Sequence, residues 1–333
     1  MNKILYRCVK KISIPVFLVF SFVNVSIAQI GSETVFGFLN VTESARTAAL
    51  GGNHVSLDEG GVSLFTTNPA YLNKSTHKQF SVSYLNHLSD IYLGIAAFSY
   101  DMNGIGTFAT GIRFVNYGEF TRLNSDGNEQ GSFSAYDFSW GTAISRPLLN
   151  GLQAGIGTQI IISRYDTYRS SAAAIFGGFY YSFNNDFTRA GASFRNLGIQ
   201  LTKFDESSEA VPFNITVGIT HQLQHLPLRF NLAMHSLNRW EIPVFDDEEA
   251  PGFTKNFFRH LRLGGEILLS ENVTLRLGYD RLMNEELKTD RRIDFSGISF
   301  GIGFVIREIR IDFSRTSYSE TGGLMQLNMS TYF

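Results

Sequence analysis

One cysteine occurs in the 333 residues, Cys8, and it precedes an apolar run near the start of the chain. With its only thiol there, the rest of the chain has no disulfide framework and no cysteine metal centre. A lipobox cysteine would have to follow that run, so Cys8 is not one. No sign of charge dominates. The formal net charge is -2, which gives no strong attraction to nucleic acid. After residue 30 no second run of about twenty apolar residues appears, so no helix is expected to span a bilayer. Prolines number only seven. No serine-hydrolase nucleophile is read in the chain, and no Ser, His and Asp fall at a supporting spacing.

What is present begins with "MNKILYRCVKK", carrying Lys3, Arg7, Lys10 and Lys11, followed by "ISIPVFLVFSFVNVSIA". Ser26-Ile27-Ala28 places small residues at the positions a signal peptidase reads, so residues 1–28 are expected to be a secretory signal and Gln29 the first mature residue. Pro15, Ser21 and Asn24 interrupt the run, against a retained anchor. Thirty-one Gly, thirty Phe and fourteen Tyr suit a β-rich protein with many outward aromatics.

From about residue 78 the sequence alternates with period two, the mark of strands with one apolar face. In "VPFNITVGITH", Phe213, Ile215, Val217 and Ile219 alternate with Asn214, Thr216, Gly218 and Thr220. Fourteen such segments are expected, roughly 78–87, 90–101, 105–117, 131–145, 151–165, 170–184, 186–196, 211–223, 227–239, 258–269, 272–284, 293–306, 308–318 and 323–333. They are longer than the five or six residues usual in soluble sheets. Their second face carries Arg229, Arg262, Glu266, Arg276, Arg310 and Asp312, charges that suit a polar lumen. Even-numbered connections are tight and most odd-numbered ones long, as between periplasmic turns and surface loops. The chain closes on "LMQLNMSTYF", with Phe333 last, as an aromatic at the inner interface girdle and a C-terminal barrel signal. The expected fold is all-β: a 14-stranded antiparallel transmembrane outer-membrane β-barrel over 78–333, with both termini periplasmic in a Gram-negative cell.

Residues 29–77 do not alternate. "TESARTAALGG" reads as a short helix capped by Thr42 or Ser44 and stopped at Gly51-Gly52, and Asn68-Pro69 favours a turn. Fourteen strands enclose more space than side chains fill, so this segment is expected to plug the lumen. Arg46 is its candidate key residue, pairing with a lumen acid such as Glu266 or Asp312. Asn68, Pro69 and Ala70 are expected to shape the plug near the first strand.

"VFGFLNVTESARTAALGGNHVSLDEGGVSLFTTNPAYLN" resembles the N-terminal signature of the PorQ family, outer-membrane components of the type IX secretion system of Bacteroidetes. The Ala-Arg helix, the Gly-Gly stop and Asn-Pro-Ala are shared with the wider FadL-like barrels, including PorV; the opening "ETVFGFLN" favours PorQ. The resemblance implies a non-enzymatic component without cofactor. It would anchor a cell-surface attachment complex with a PorZ-like surface protein, a PorU-like sortase and a PorV-like barrel, which links cargo to lipopolysaccharide. Loop length selects 118–130, 197–210 and 240–257 as contact candidates, with Trp240, Phe245, Asp246 and Asp247 in the last. The alternative is a FadL-type transporter of hydrophobic small molecules, which needs a continuous apolar path.

Other constellations weigh less. Asp246, Asp247, Glu248 and Glu249 lack the spaced ligands and turn glycine of a calcium loop. His221 and His225 would stand roughly 13 Å apart on a strand. The glycines of "GISFGIGF" and "GLQAGIGTQ" sit in alternating strands, where Gly301 and Gly303 face inward to give room for the plug or a close backbone approach.

Overall fold

The computed structural model describes residues 34–57, 59–86, 91–183, 187–204, 208–242, 244, 251–287, 295–318 and 322–333. The expected signal segment and Phe245, Asp246 and Asp247 lie outside the described residues. Fourteen strands form one closed antiparallel barrel. They are β1 (Gln79–Asn86), β2 (Tyr92–Met102), β3 (Gly106–Leu123), β4 (Glu129–Leu149), β5 (Leu152–Tyr165), β6 (Tyr168–Ser182) and β7 (Thr188–Thr202), then β8 (Asn214–Gln222), β9 (Leu228–Met234), β10 (Leu261–Leu268), β11 (Val273–Asp280), β12 (Ile298–Ile306), β13 (Ile309–Ser317) and β14 (Gly323–Tyr332). Each pairs with its sequence neighbours, and β1 closes on β14 with Gln79 opposite Tyr332 and Asn86 opposite Met325.

The alternation sorts side chains across this wall. On β1, Ser81 and Ser83 are buried toward the lumen, while Val82 and Tyr84 are exposed on the outside. On β4, Asp137 and Ser139 face in and Trp140 faces out. A barrel that is apolar outside and polar inside is the inverse of a soluble one, and its stable surroundings are lipid. β8 has nine residues, which at about 3.3 Å per residue and a tilt near 40° covers roughly 23 Å of bilayer. Phe333 donates its backbone N–H to Lys78 O at 3.1 Å, and its ring lies 6.3 Å from Phe80 beside the closing seam.

Four segments differ from expectation. Most of 118–130 is not a loop, because β3 and β4 run on to Leu123 and from Glu129. Phe120 stacks on Phe133 at 5.4 Å, Arg122 lies 5.9 Å above Phe133, and Arg122 also pairs with Asp166. Such cross-strand contacts extend the ladder beyond the bilayer. Residues 197–202 likewise continue β7. Residues 258 and 259 belong to helix α2 (Phe253–Arg259), and 281–284 open helix α3 (Arg281–Leu287). There Asp280 Oδ1 accepts the Met283 N–H at 3.2 Å and caps the helix start.

Residues 34–77 run inside the barrel. Val35 donates to Glu209 of the β7–β8 connection and packs with Leu85 and Val211, so the described chain begins at the mouth on the long-loop side. It ends on the opposite side: Ser99 Oγ donates to Thr76 O near the short β2–β3 turn. The C-terminus lies at the short-turn end, and Thr34, the first described residue, lies at the loop-side mouth; the expected mature N-terminus, Gln29, falls outside the described residues. Helix α1 (Ala45–Ala49) sits between these points, capped by Ser44, whose Oγ accepts the Arg46 N–H at 3.3 Å. Gly52 N–H returns to Thr47 O at 2.9 Å and stops it.

The wall admits this segment at backbone distance through cross-strand glycine pairs. Gly111 lies opposite Gly141, Gly155 opposite Gly178, Gly191 opposite Gly218 and Gly264 opposite Gly278. Phe65 rests on the first pair, Asn68 and Pro69 on the second, Val55 and Ser56 on the third, Leu50 and Gly51 on the fourth. Gly301 adds a notch for Ala49. Apolar packing fills the spaces between: Phe36 and Phe38 meet Leu93, Ile95 and Val115, and Phe65 meets Phe176. The lumen face is therefore less uniformly polar than the alternation suggested, because the inward residues of β1–β3 and β5 turn apolar where Phe36 and Phe38 land.

A Cβ at Gly191 would stand 1.8 Å from Val55 O, whereas one at Gly265 meets nothing within 4 Å. Gly191→Ala is expected to lower stability by about 1–3 kcal/mol through overpacking and to expose the plug to protease, with Gly265→Ala unchanged. Unfolding temperature and limited proteolysis of the detergent-purified protein check this.

Candidate functional site

The centre of the lumen is organised by one carboxylate. Glu266 on β10 stands directly opposite Arg229 on β9 and Arg276 on β11. Arg229 NH1 reaches Oε2 at 3.1 Å and Arg276 Nε reaches Oε1 at 3.1 Å. The plug supplies the third cation. Arg46 Nε donates to Oε1 at 3.1 Å and NH2 to Oε2 at 3.0 Å, a two-pronged pair. Arg46 NH1 donates to Glu59 O at 3.0 Å, tying the helix to the following turn. Arg276 NH1 continues to Asp312 at 2.7 Å, reaching past β12 where a Cβ at Gly303 would stand 2.5 Å from Asp312 Oδ1.

Arg46 is 3% and Glu266 1% exposed. Burial opposes the Arg46 charge, but the Glu266 carboxylate outweighs it and raises the pKa of Arg46 above its ordinary value. A second clamp holds the upper plug: Arg113 NH2 donates to Glu43 Oε1 at 2.8 Å, and NH1 to Phe38 O at 3.1 Å. Thr66 and Thr67 also donate to the Glu43 carboxylate. Together these contacts fix a loop-rich segment across the barrel by charge.

The other plug candidates lie elsewhere along the wall, and Asn68, Pro69 and Ala70 meet β5 and β6 rather than the first strand, where they were expected. Gly51 has φ +87°, and a Cβ there would meet the Tyr279 backbone at 2.9 Å; at Gly52 it would meet the Arg262 side chain at 2.7 Å. Asn68 caps the short turn Pro69–Tyr71, accepting the Ala70 N–H at 3.1 Å. Its Nδ2 donates to Val55 O at 2.9 Å and to Phe179 O of the wall at 3.1 Å. Ala70 is fully buried. Trp240 stands apart from the plug, on the loop side. Its ring stacks between Phe253 at 5.3 Å and His260 at 5.0 Å, on a platform fixed by the buried Arg259–Glu285 pair at 2.7 Å.

Among the described residues no cluster of His, Cys, Asp and Glu could hold a metal ion. The sequence reading passes over Gly297, Ser299 and Gly301, which do have Gly-x-Ser-x-Gly spacing. Ser299, however, lies within β12 rather than at a strand–helix elbow, and its hydroxyl donates to Thr316 Oγ1 at 3.1 Å. The reading also missed Glu43, Arg113 and the glycine pairs. Inward glycines recurring on successive strands were the available signal, but pairing them requires the register.

No protein-family model matches the chain, and no curated protein matches it. Solved structures do. The toluene transporter TbuX of Ralstonia pickettii is 14% identical over 89% of this chain and 100% of its own, with TM-score 0.53. The P. putida toluene transporter TodX is 13% identical over 88% and 99%, with TM-score 0.52. The monoaromatic hydrocarbon channel CymD is 11% identical over 90% and 99%, with TM-score 0.51. The fold is the FadL-like barrel. At these identities the likeness extends to fold alone.

Glu266→Gln removes the acid that Arg46, Arg229 and Arg276 share. Loss of one partner from a buried ion cluster costs about 3–5 kcal/mol, and the expected result is a loosened plug with increased entry of large antibiotics into cells. Unchanged permeability and unchanged stability would contradict the latch. His54 gives a pH dependence. Burial lowers its pKa from 6.5 to about 4, partly offset by the bond to Leu50 O. The neutral form is favoured in the fold, so this contribution to stability is complete above pH 6.5 and is lost as pH falls from 6.5 to about 4. Burial depresses His235 in the same direction. His54→Gln should therefore reduce, not abolish, the acid slope of the unfolding temperature.

Proposed function

We propose that this chain is a non-enzymatic anchor in the outer membrane, a PorQ-like component of a type IX secretion attachment complex. The observation that carries the reading is the occupied lumen: plug backbone meets the wall at three glycine pairs, the Phe65 ring rests on a fourth, and Arg46–Glu266 pins the segment. A lumen occupied in this way leaves less room for a passing molecule, which supports the loop side as the working surface. The N-terminal signature supports the same reading. Its partners would be a PorZ-like surface protein, a PorU-like sortase and a PorV-like barrel, with lipopolysaccharide nearby. The platform around Trp240 and the 240–257 connection are the proposed contact region, joined by the extended β3–β4 ribbon.

A second reading has its own support. TbuX and TodX are named toluene transporters and CymD a monoaromatic hydrocarbon channel, and the comparison of folds favours a channel for hydrophobic compounds more directly than an anchor. The inward apolar patch of Leu93, Ile95 and Val115 suits such cargo, although Phe36 and Phe38 fill it here.

The two readings part in one experiment. A tag in the 240–257 loop is used to recover the barrel from outer membranes in mild detergent. Co-recovery of a large surface protein with a sortase-like peptidase is the outcome expected of an anchor. Recovery of the barrel alone, with bound hydrocarbon or fatty acid, would replace the anchor with the channel.

A further inference from the structure

Five arginines of the described residues are buried, and four of them touch a carboxylate. Arg46 and Arg276 share Glu266, Arg113 holds Glu43 and Arg259 holds Glu285. Arg195 on β7, 6% exposed, is the exception. Among the described residues nothing hydrogen-bonds its guanidinium and no acid pairs with it. Its nitrogens are not walled in either: each retains accessible surface and so borders open space on the lumen side. A buried cation left without a counter-charge is costly, so a matching charge is expected at that surface.

The backbone is built to turn this side chain inward. Gly177 pairs with Phe194 and Ile175 with Leu197, so Arg195 and Asn196 together stand opposite Phe176, a β-bulge. Strict alternation would send one of the two toward lipid; the bulge buries both. Asn196 takes φ +58°, a left-handed value that few residues other than glycine adopt. Its side chain holds it there: Oδ1 accepts Gln159 Nε2 at 2.7 Å, and Nδ2 donates to Pro212 O at 3.0 Å. The amide of Asn196 thus fixes the bulge, and Arg195 is the group that the bulge presents to the lumen.

The chemistry of the occupant follows from these groups. A guanidinium can only donate, and the charges that reach Arg195 are Glu43, Arg113 and Arg262. Arg113 pairs with Glu43 and Arg262 with Asp280, so three arginines face two acids and one positive charge is left over. That excess repels a cation and draws an anion. The planar guanidinium fork offers parallel N–H groups that match two oxygens of one oxyanion. Phe36 and Phe38 fill the apolar part of the upper lumen, which favours an anion without an apolar tail. We propose that Arg195 anchors a lumen site for a small inorganic oxyanion of the phosphate or sulfate type. The proposal depends on neither reading of the whole barrel.

The test uses the full chain purified in detergent and exchanged into buffer free of phosphate and sulfate. Inorganic phosphate and sulfate are titrated separately at low millimolar concentration while the unfolding temperature is followed. Saturable stabilisation by at least one is expected, because a ligand of the folded state raises its stability by mass action. Arg195→Gln should abolish that response. Without anion it should unfold at or above the wild-type temperature, because it removes an unpaired buried charge; a purely structural arginine would do the opposite. Arg195→Lys keeps the charge but not the fork and should bind at least about tenfold more weakly. In crystals soaked in selenate, a heavier relative of sulfate, the anomalous peak should lie beside the Arg195 guanidinium. No saturable response of the wild type to either anion would overturn the proposal. So would an equal response by Arg195→Gln, or a soaked crystal with water alone at Arg195.

Discussion

A fourteen-strand barrel is wider than its inward side chains can fill, and everything else in this molecule follows from how that space is closed. The chain fills it with its own residues 34–77, brought against the wall backbone rather than held at side-chain length. Contact at that distance is sterically possible only where the wall has no Cβ. The glycine pairs therefore recur where Phe65, Pro69, Val55 and Leu50 touch it. The plug is largely irregular, with one five-residue helix. It has little internal cohesion and takes its shape from the wall.

Charge supplies what shape alone does not. Steric fit in glycine notches is short-ranged and says little about register along the barrel axis. The Arg46–Glu266 pair does, because Glu266 already lies between two arginines of the wall and its remaining lone pairs point at one height in the lumen. Removing an acid from such a cluster leaves several buried cations together, so the cluster acts as a unit rather than as separate pairs. The Glu43–Arg113 clamp repeats the arrangement nearer the loop-side mouth. Apolar side chains of plug and wall pack in separate clusters, with Phe36 and Phe38 in one and Phe65 in another.

This construction bears on function. The FadL-like barrel is a scaffold whose neighbours carry hydrocarbons, yet fold and function separate readily when loops and lumen change. Here the inward face that could conduct an apolar molecule is occupied by Phe36 and Phe38. The loop side, by contrast, is elaborated: β3 and β4 reach 18 and 21 residues, and two helices brace the Trp240 platform.

Strand number, face and the C-terminal aromatic were legible in the sequence because alternation is local: each residue's side of the wall follows from its neighbours two positions away. The helix at 45–49 with its Ser44 cap and glycine stop was legible for the same reason, and the charge of Arg46 pointed to an acid in the lumen. Which acid it meets was not determined by the sequence. Glu266 rather than Asp312 receives Arg46 because of the cross-strand register that sets Glu266 between Arg229 and Arg276. The glycine pairs, the Glu43–Arg113 clamp and the entry of the described chain at the loop-side mouth share that origin. Each joins residues far apart in the chain, so each exists only once the barrel has closed and fixed its register.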